Sequence, residues 1–227
     1  MFTSNVILYM LAVNISNLSK MERDMKYQLS DIAKTITTGQ IMNRVTLGKD
    51  EEDNSSCFNM QELVPGAISG GVVHLDNTLQ VRLKKMPLDN KMTKLNDIVI
   101  KLSSPYDCAL VTEGEEGLLV PSYCAIISGI DEQHINIKYL VGYLNSEFAK
   151  EKMLIGVSTS AGTMVKQRTL SDLEIVVPDI KKQAVIGEAY WQSCQKKYVL
   201  EKMVLNQQGI SDSIIDEVLR QETSYDN

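Results

Sequence analysis

The sequence has few of the residues that build disulfide scaffolds, metal centres and histidine-based active sites. Its 227 residues include only 4 cysteines and 2 histidines, and aromatic residues make up 6%. His74 and His134 are isolated and not at metal-ligand spacing with cysteines or carboxylates, which argues against a metal centre. No C-x-x-C pair occurs, so we expect reduced thiols in a cytosolic protein rather than disulfides. The cysteines are Cys57, Cys108, Cys124 and Cys194.

The sequence also has no excess of positive charge. Lysine and arginine total 23 against 29 aspartates and glutamates, which gives a net charge of −6. A chain that bound nucleic acid through its overall charge would be basic, so we expect no strong non-specific DNA binding by the isolated chain. A local basic face, or a partner that supplies phosphate contacts, is compatible with this charge.

Long apolar runs are missing too. The only one near the N-terminus covers residues 6–13, VILYMLAV, and is far shorter than the roughly 20 residues of a membrane-spanning helix. No lysine or arginine precedes it and no small-residue cleavage site follows it, so a signal peptide is not expected. We therefore predict a cytoplasmic protein with no membrane association.

The motifs of common catalytic sites are absent as well. We find neither a P-loop nor a glycine-rich strand–turn–helix that would bind S-adenosylmethionine. Residues 103–106, SSPY, resemble the N/D-P-P-Y/F motif of adenine methyltransferases. They lack the asparagine or aspartate that would hydrogen-bond the target amine. We predict a non-catalytic chain without a cofactor.

The clearest structural signal in the sequence is the segment 170–186, LSDLEIVVPDIKKQAVI. Apolar residues alternate with more exposed positions up to Val177, which predicts a strand. Pro178 ends this strand because proline has no N–H for a sheet ladder, and Pro178 with Asp179 suits a helix start. The helical pattern continues to about Asn206. A domain therefore ends in a strand and passes directly into a long helix.

The region before this junction has many short strand patterns. Residues 79–83 alternate, with apolar side chains on one face and Gln80 and Arg82 on the other. Residues 98–102 are typical of a buried strand, whereas residues 139–153 follow the period of a helix. These patterns predict a β-rich domain with small helices.

Six segments in a fixed order resemble the target-recognition domain of the specificity (S) subunits of type I restriction–modification enzymes. One of them differs from the family's usual "G-D-I-L" turn, because Asn96 stands where glycine is usual. The segments are 29–33 with 38–39, 96–99, 118–122, 139–146, 162–178, and Gln183 with Ile186.

This resemblance implies an α+β fold in three parts. Residues 1–26, which carry an apolar stripe at helical spacing, would form an N-terminal helix. Residues 27–178 would form the β-rich, DNA-binding recognition domain with small packed helices. Residues 179–227 would form a coiled-coil-type spacer helix and a C-terminal tail. A full-length S subunit has two recognition domains and two spacer helices, so this sequence resembles a half-length form.

The resemblance also implies partners. In this family the methyltransferase (M) subunit transfers the methyl group, and the restriction (R) subunit cleaves DNA. The S subunit reads double-stranded DNA and holds the M subunits. We therefore expect this chain to bind duplex DNA and an M subunit, and the R subunit through it.

Two regions are candidates for DNA contact because they combine basic side chains with hydrogen-bonding ones. Residues 82–101 carry a local charge of about +4, and residues 158–168 contain no acid. For any one of these residues, the alternative is an ordinary solvent-exposed side chain that does not contact DNA. The candidates are Arg82, Lys84, Lys85, Lys91, Lys94, Lys101, Ser160, Thr163, Lys166 and Arg168.

The long helix carries a seam at steps of four and three residues, which is typical of helix pairing. The N-terminal helix, a second copy of the chain or an intramolecular hairpin could cover it. We favour a two-fold homodimer, because two opposed domains would read a palindromic bipartite site. The seam residues are Ile180, Ala184, Gly187, Trp191, Cys194, Tyr198 and Leu205.

A second function stays open at this point. The acidic net charge mildly favours an interaction protein that does not read DNA, such as a degenerate or silent recognition cassette. Such a protein would assemble with other restriction–modification subunits without contributing to DNA affinity.

Overall fold

The computed structural model describes residues 25–47, 57–155 and 164–224, with side chains as far as residue 220. The predicted α+β class is confirmed, because a strand-rich domain is followed by one long helix. The strands are β1 (Met25–Gln28), β2 (Ala33–Thr38), β3 (Phe58–Glu62), β4 (Ile68–Ser69), β5 (Val72–Val73), β6 (Leu79–Leu83), β7 (Ile98–Lys101), β8 (Cys108–Leu110), β9 (Cys124–Ile130) and β10 (Glu174–Val177). The helices are α1 (Leu29–Ile32), α2 (Ile137–Asn145), α3 (Glu147–Leu154), α4 (Gln167–Ser171) and α5 (Ile180–Ser224).

A four-stranded antiparallel sheet forms the centre of the domain, in the order β2-β9-β7-β8. Its inner strands are rich in isoleucine and valine, which suit a pleated and buried surface. Val99 on β7 lies opposite Ile126 on β9 and Ala109 on β8. The buried strand predicted at residues 98–102 is confirmed as β7.

Both faces of this sheet are covered, and its side chains alternate between two apolar cores. On β7, Ile98 and Ile100 belong to the core beneath α2 and α3, whereas Val99 belongs to the core beneath the β4–β5 hairpin. Ile127 and Ile126 on β9 divide between the cores in the same way. The two-residue period of the pleat explains the division.

Two helices, rather than one, cover the core that contains Ile98 and Ile100, called the first core below. The side chain of Asn136 accepts a hydrogen bond from the Tyr139 N–H at 3.0 Å and begins α2. The hydroxyl of Ser146 accepts one from the Ala149 N–H at 3.2 Å and begins α3. The single helix predicted over residues 139–153 is therefore wrong, because Ser146 adopts an extended conformation and caps a new helix.

The first and last strands of the domain pair with each other. β1 runs antiparallel to β10, with Met25 opposite Val177. The N-terminal helix predicted for residues 1–26 is wrong at Met25 and Lys26, which are strand. Residues 1–24 of that prediction lie outside the described residues.

Two tyrosines of α2 fix β10 where the chain leaves the domain. The hydroxyl of Tyr139 donates to the Val176 carbonyl at 2.7 Å, and that of Tyr143 donates to the Glu174 carbonyl at 3.0 Å. The strand that leads into α5 is therefore attached to the helical layer as well as to β1.

The junction between β10 and α5 has the predicted form. After Pro178, the Asp179 carboxylate accepts hydrogen bonds from the N–H groups of Lys181 and Lys182 at 3.0 and 3.2 Å. An aspartate in this position satisfies N–H groups that have no partner within the helix. The predicted strand end and helix start are confirmed.

Helix α5 is longer than the sequence pattern predicted. It has 45 residues and ends at Ser224 rather than near Asn206, so it spans about 68 Å at 1.5 Å per residue. The apolar pattern is interrupted by Gln207, Gln208 and Gly209, which explains the early predicted end. The backbone continues as helix through this interruption.

Gln183 fastens the start of α5 to the domain. It is only 1% exposed. Its side-chain oxygen accepts from the Asn136 N–H at 2.9 Å, and its amide group donates to the carbonyls of His134 and Pro178 at 3.0 and 2.8 Å. Three backbone groups thus depend on one side chain.

Candidate nucleic-acid interface

The ribbon formed by β3 and β6 presents a polar outer face. Asn59 lies opposite Arg82, and Gln61 lies opposite Gln80. Because side chains alternate along a strand, these four project from the same face, and all are exposed. The strand predicted at residues 79–83 is confirmed, including its exposed Gln80 and Arg82.

Sequence reasoning missed two residues of this face, Asn59 and Gln61. The signal that could have identified them is the alternation of residues 58–62, FNMQE. Phe58 and Met60 mark the opposite face of β3, so Asn59 and Gln61 must share the outer one.

The inner face of the ribbon anchors it to the domain. Leu83 packs with Val45 and Leu119 in a third apolar cluster, against which Met60 and Val81 also pack. Full burial of a leucine such as Leu83 contributes about 1.5–3 kcal/mol. The ribbon is therefore a packed element of the domain.

Backbone hydrogen bonds hold both edges of the ribbon. The Leu119 N–H donates to the Gln61 carbonyl at 2.8 Å, and the Leu47 N–H donates to the Arg82 carbonyl at 2.9 Å. The Lys84 N–H donates to the Val45 carbonyl at 2.8 Å. These bonds fix the strands that carry the outer side chains.

The carboxylate side chain of the ribbon, that of Glu62, is buried in the domain. Glu62 is buried and accepts a hydrogen bond from the Tyr123 hydroxyl at 2.9 Å. Burial, together with this hydrogen bond, raises the pKa of Tyr123, so its hydroxyl stays a donor. Among the described residues of β3 and β6, the outer face therefore bears the positive charge of Arg82 and no carboxylate.

The basic residues predicted around the ribbon differ in their surroundings. Lys84 and Lys85 follow β6 and are exposed. Lys91 is half-buried and donates from Nζ to the Thr38 carbonyl at 2.6 Å, so it ties its segment to β2. Lys94 is exposed and forms an ion pair with Asp89, whose hydrogen bond raises the pKa of Lys94.

Lys101 is a correction to the predicted DNA-contacting set. It is 8% exposed, and its Nζ lies 3.2 Å from the Asp107 carboxylate. Lys150 binds the other oxygen of Asp107 at 3.0 Å. This buried cluster joins β7 to α3, and it takes Lys101 off the surface that DNA could reach.

The second predicted region is only partly described. Ser160 and Thr163 lie outside the described residues. Lys166 and Arg168 are exposed at the start of α4, and the Arg168 side chain, 91% exposed, lies 3.5 Å from the Asp172 carboxylate. Gln167 between them donates to the Ile36 carbonyl at 2.6 Å, which attaches α4 to β2.

The helix seam predicted for a partner is covered mainly by the chain's own domain, and this corrects the assignment of four residues. A Cβ on Gly187 would lie 2.6 Å from the Tyr139 nitrogen, so α5 approaches α2 closely. Trp191 packs against the first core, and Cys194 is buried. The Tyr198 ring lies 5.2 Å from that of His74.

The other predicted seam residues are exposed. Ile180 is 46% exposed, Ala184 is exposed, and Leu205 is 61% exposed. From Leu200 onward, α5 carries exposed apolar side chains on more than one side. Several lie roughly opposite the domain-facing side, since each residue turns the helix by about 100°. Those more than half exposed include Leu200, Met203, Val204, Ile210, Ile214 and Val218.

The described residues offer little for other chemistries. None of their histidines, cysteines and acids form a group that could hold a metal ion. Burial raises the pKa of the Cys124 thiol to about 12, so this thiol stays neutral. Among the described helices, none is long and apolar enough to cross a membrane.

Comparisons with known proteins identify the fold. No family model and no curated protein matches the sequence. The HsdS subunit from Thermoanaerobacter tengcongensis is similar with a TM-score of 0.54 and 14% identity, over 78% of this chain and 44% of that chain. A chain from a structure on complex assembly and conformational transition of the type I R-M system has a TM-score of 0.56 and 11% identity, over 80% of this chain and 45% of that one.

This chain spans less than half the length of each of these two structures. Both matches extend over more of it than the predicted recognition domain alone. The resemblance drawn from six short sequence segments is confirmed by the backbone: the chain has the fold of the HsdS specificity subunits of type I restriction–modification systems.

Proposed function

We propose that this chain is the DNA sequence-specificity subunit of a type I restriction–modification system. Each chain would read one half-site of duplex DNA and hold M subunits, and the R subunit would join through them. The chain itself would be non-catalytic and would work in the cytoplasm. The observation that carries the proposal is the shared fold over about four fifths of the chain.

The uncovered face of α5 supports a homodimer as the active form. Apolar side chains recur along that face from Leu200 to Val218, each more than half exposed. An apolar helix face that the described residues leave exposed is stabilised when a partner helix covers it. A second α5, packed antiparallel by a two-fold axis, has the same apolar face to offer.

The length of α5 is compatible with a ruler between two half-sites. Lys202, about halfway along α5, forms an ion pair with Asp76 of the domain. Roughly 22 residues follow and would span about 33 Å. Half-sites one turn of B-DNA apart are separated by about 34–36 Å. Two overlapping helices of this length would hold two domains at about one helical turn.

DNA binding is tested by neutralising the exposed basic residues of both candidate regions. We expect glutamine at Lys84, Lys85, Lys166 and Arg168 to weaken binding of duplex DNA by the chain assembled with its M subunit. Each lost phosphate contact reduces the slope of log K against log salt by about 0.9, so four would reduce it by up to about 3.6. Equilibrium titrations at several salt concentrations measure this slope.

The matched control removes the same charge elsewhere. The control residues are exposed at the start of β2 and on α5: Lys34, Lys181, Lys196 and Lys197. Their replacement by glutamine should change the slope of log K against log salt less. If the first variant bound DNA as tightly as the wild type, these four residues would contribute nothing to DNA affinity. That result would favour the alternative, a silent recognition cassette that only assembles with other subunits.

A further inference from the structure

We infer that the outer face of the β3–β6 ribbon enters the DNA major groove and reads base pairs. Its reading side chains are Asn59, Gln61, Gln80 and Arg82. This inference rests on the proposed function and adds to it the element and the residues that set sequence preference.

The chemistry of this face matches that of base edges. Arginine makes a bidentate pair with O6 and N7 of guanine, and asparagine or glutamine makes one with N6 and N7 of adenine. The four outer residues of the ribbon are all of these three types.

The dimensions of the ribbon also fit. The major groove is about 12 Å wide and admits a two-stranded β-ribbon. Along a strand, residues two apart are separated by about 6.6–6.8 Å, close to two base-pair steps of about 3.4 Å. The Asn59–Arg82 pair and the Gln61–Gln80 pair can therefore address base pairs two steps apart.

The ribbon is held rigidly enough to select between bases. Leu83 and Leu119 are fully buried under it. Neighbouring segments bond the backbone carbonyls of Gln61 and Arg82 from both edges. Side chains on such a packed scaffold lose little freedom when they bind, which sharpens discrimination.

The charge around the ribbon suits DNA as its occupant. Arg82 lies on the face itself, and the exposed Lys84 and Lys85 follow directly. Glu62 is turned inward to Tyr123. The amides would then address bases, while the lysines at the end of β6 would contact phosphates and set the register.

Selection of random duplexes tests the inference, with the full chain assembled with its M subunit. The wild type should return a motif. Arg82→Gln should relax the preference for guanine at one base pair of each half-site by about 5- to 150-fold, the range of one bidentate pair. The combined change of Asn59, Gln61 and Gln80 to alanine should erase preference at neighbouring positions and keep the rest of the motif.

Two further variants make the outcome decisive. Arg82→Lys keeps the charge but loses the guanidinium group that can form two parallel hydrogen bonds. It should therefore relax the preference at the same base pair without changing the salt dependence of binding. Gln133 is exposed and follows the C-terminal end of β9. Gln133→Ala should return the wild-type motif. Thermal melting should give the wild-type Tm for all variants, since every altered side chain is exposed.

The failure of this inference differs from that of the proposed function. An unchanged motif in both Arg82 variants and in the triple variant would overturn the ribbon as reader and leave the proposed function intact. If the wild-type complex returned no motif at low salt, the proposed function would fall, and this inference with it.

Discussion

The two halves of α5 belong to one continuous helix but differ in what covers them. Up to Lys202, the helix is fastened to the domain by Gln183, by the close approach at Gly187 and by the buried Cys194. From Met203 to Arg220, its side chains are exposed although many are apolar. The first half is thus part of the domain's fold, and the second half leaves apolar side chains exposed.

This difference has a consequence for the proposed function. If α5 sets the distance between two DNA half-sites, the domain proposed to read each half-site must be attached rigidly to α5. The joint between β10 and α5 contains no flexible linker, because Asp179 caps the helix directly after Pro178. Gln183 then bonds three backbone groups of the domain and the joint. The orientation of the strand-rich domain is therefore fixed relative to the helix axis.

The largest effect is expected in the exposed half. If the chain forms the proposed dimer, lysine at both Ile210 and Ile214 should convert it to a monomer, since each uncompensated buried charge costs about 3–5 kcal/mol. Light scattering measures the mass. Lysine at Gln208 and Asp212, which have the same spacing on another side of the helix, should keep the dimer. A dimer that survived the first pair would contradict pairing through this face.

The next effect is expected in the covered half. Gln183→Ala removes the side-chain partner of three partly buried backbone groups, which should lower the free energy of unfolding by about 3–5 kcal/mol. Gln208→Ala, in the exposed half, should change it by less than about 0.5 kcal/mol. Urea unfolding of both variants checks this contrast. Equal midpoints would mean that Gln183 does not fasten the helix.

Two glycines of α5, one in each half, have different surroundings. A Cβ at Gly187 would lie 2.6 Å from the Tyr139 nitrogen, so Gly187→Ala should destabilise the fold by about 1–3 kcal/mol through overpacking. A Cβ at Gly209 meets nothing within 4 Å. Gly209→Ala should therefore stabilise the helix by up to about 1 kcal/mol. Thermal melts that shifted in the same direction would refute the difference.

The smallest effect concerns an exposed ion pair across the covered half. Lys138 donates to the Glu188 carboxylate at 2.7 Å, and this hydrogen bond lowers the pKa of Glu188. The pair therefore stabilises the fold above the unfolded pKa of about 4.3, and its contribution is lost as pH falls through the folded pKa. Glu188→Gln should lower Tm slightly at about pH 7 and not at about pH 2.5. A deficit that persisted in acid would contradict this origin.

Sequence reasoning succeeded where local patterns decide the structure. The alternation in residues 79–83 and the stop at Pro178 each act within a few residues, and both appear in the structure as predicted. The sequence pattern identified the apolar seam on α5. It did not identify what packs against that seam, because periodicity reveals a helix face and not what covers it. Gly187 and Tyr198 meet the chain's own domain.

The candidate site shows the same limit. Counting charges selected Lys101 together with Lys85, but only the fold reveals that Asp107 and Lys150 bury Lys101 within the domain. Asn59 became a candidate only through its register with Arg82, a contact between strands that lie far apart in the sequence.

The reading of DNA by this chain is tested by selection of random duplexes with the wild-type chain assembled with its M subunit. We expect an enriched motif of two half-sites, related as an inverted repeat and separated by a gap of fixed length. Each half-site would come from one chain of the dimer. Recovery of no enriched motif at low salt would contradict the proposed reading of DNA, and a single half-site without its inverted copy would contradict the two-fold dimer.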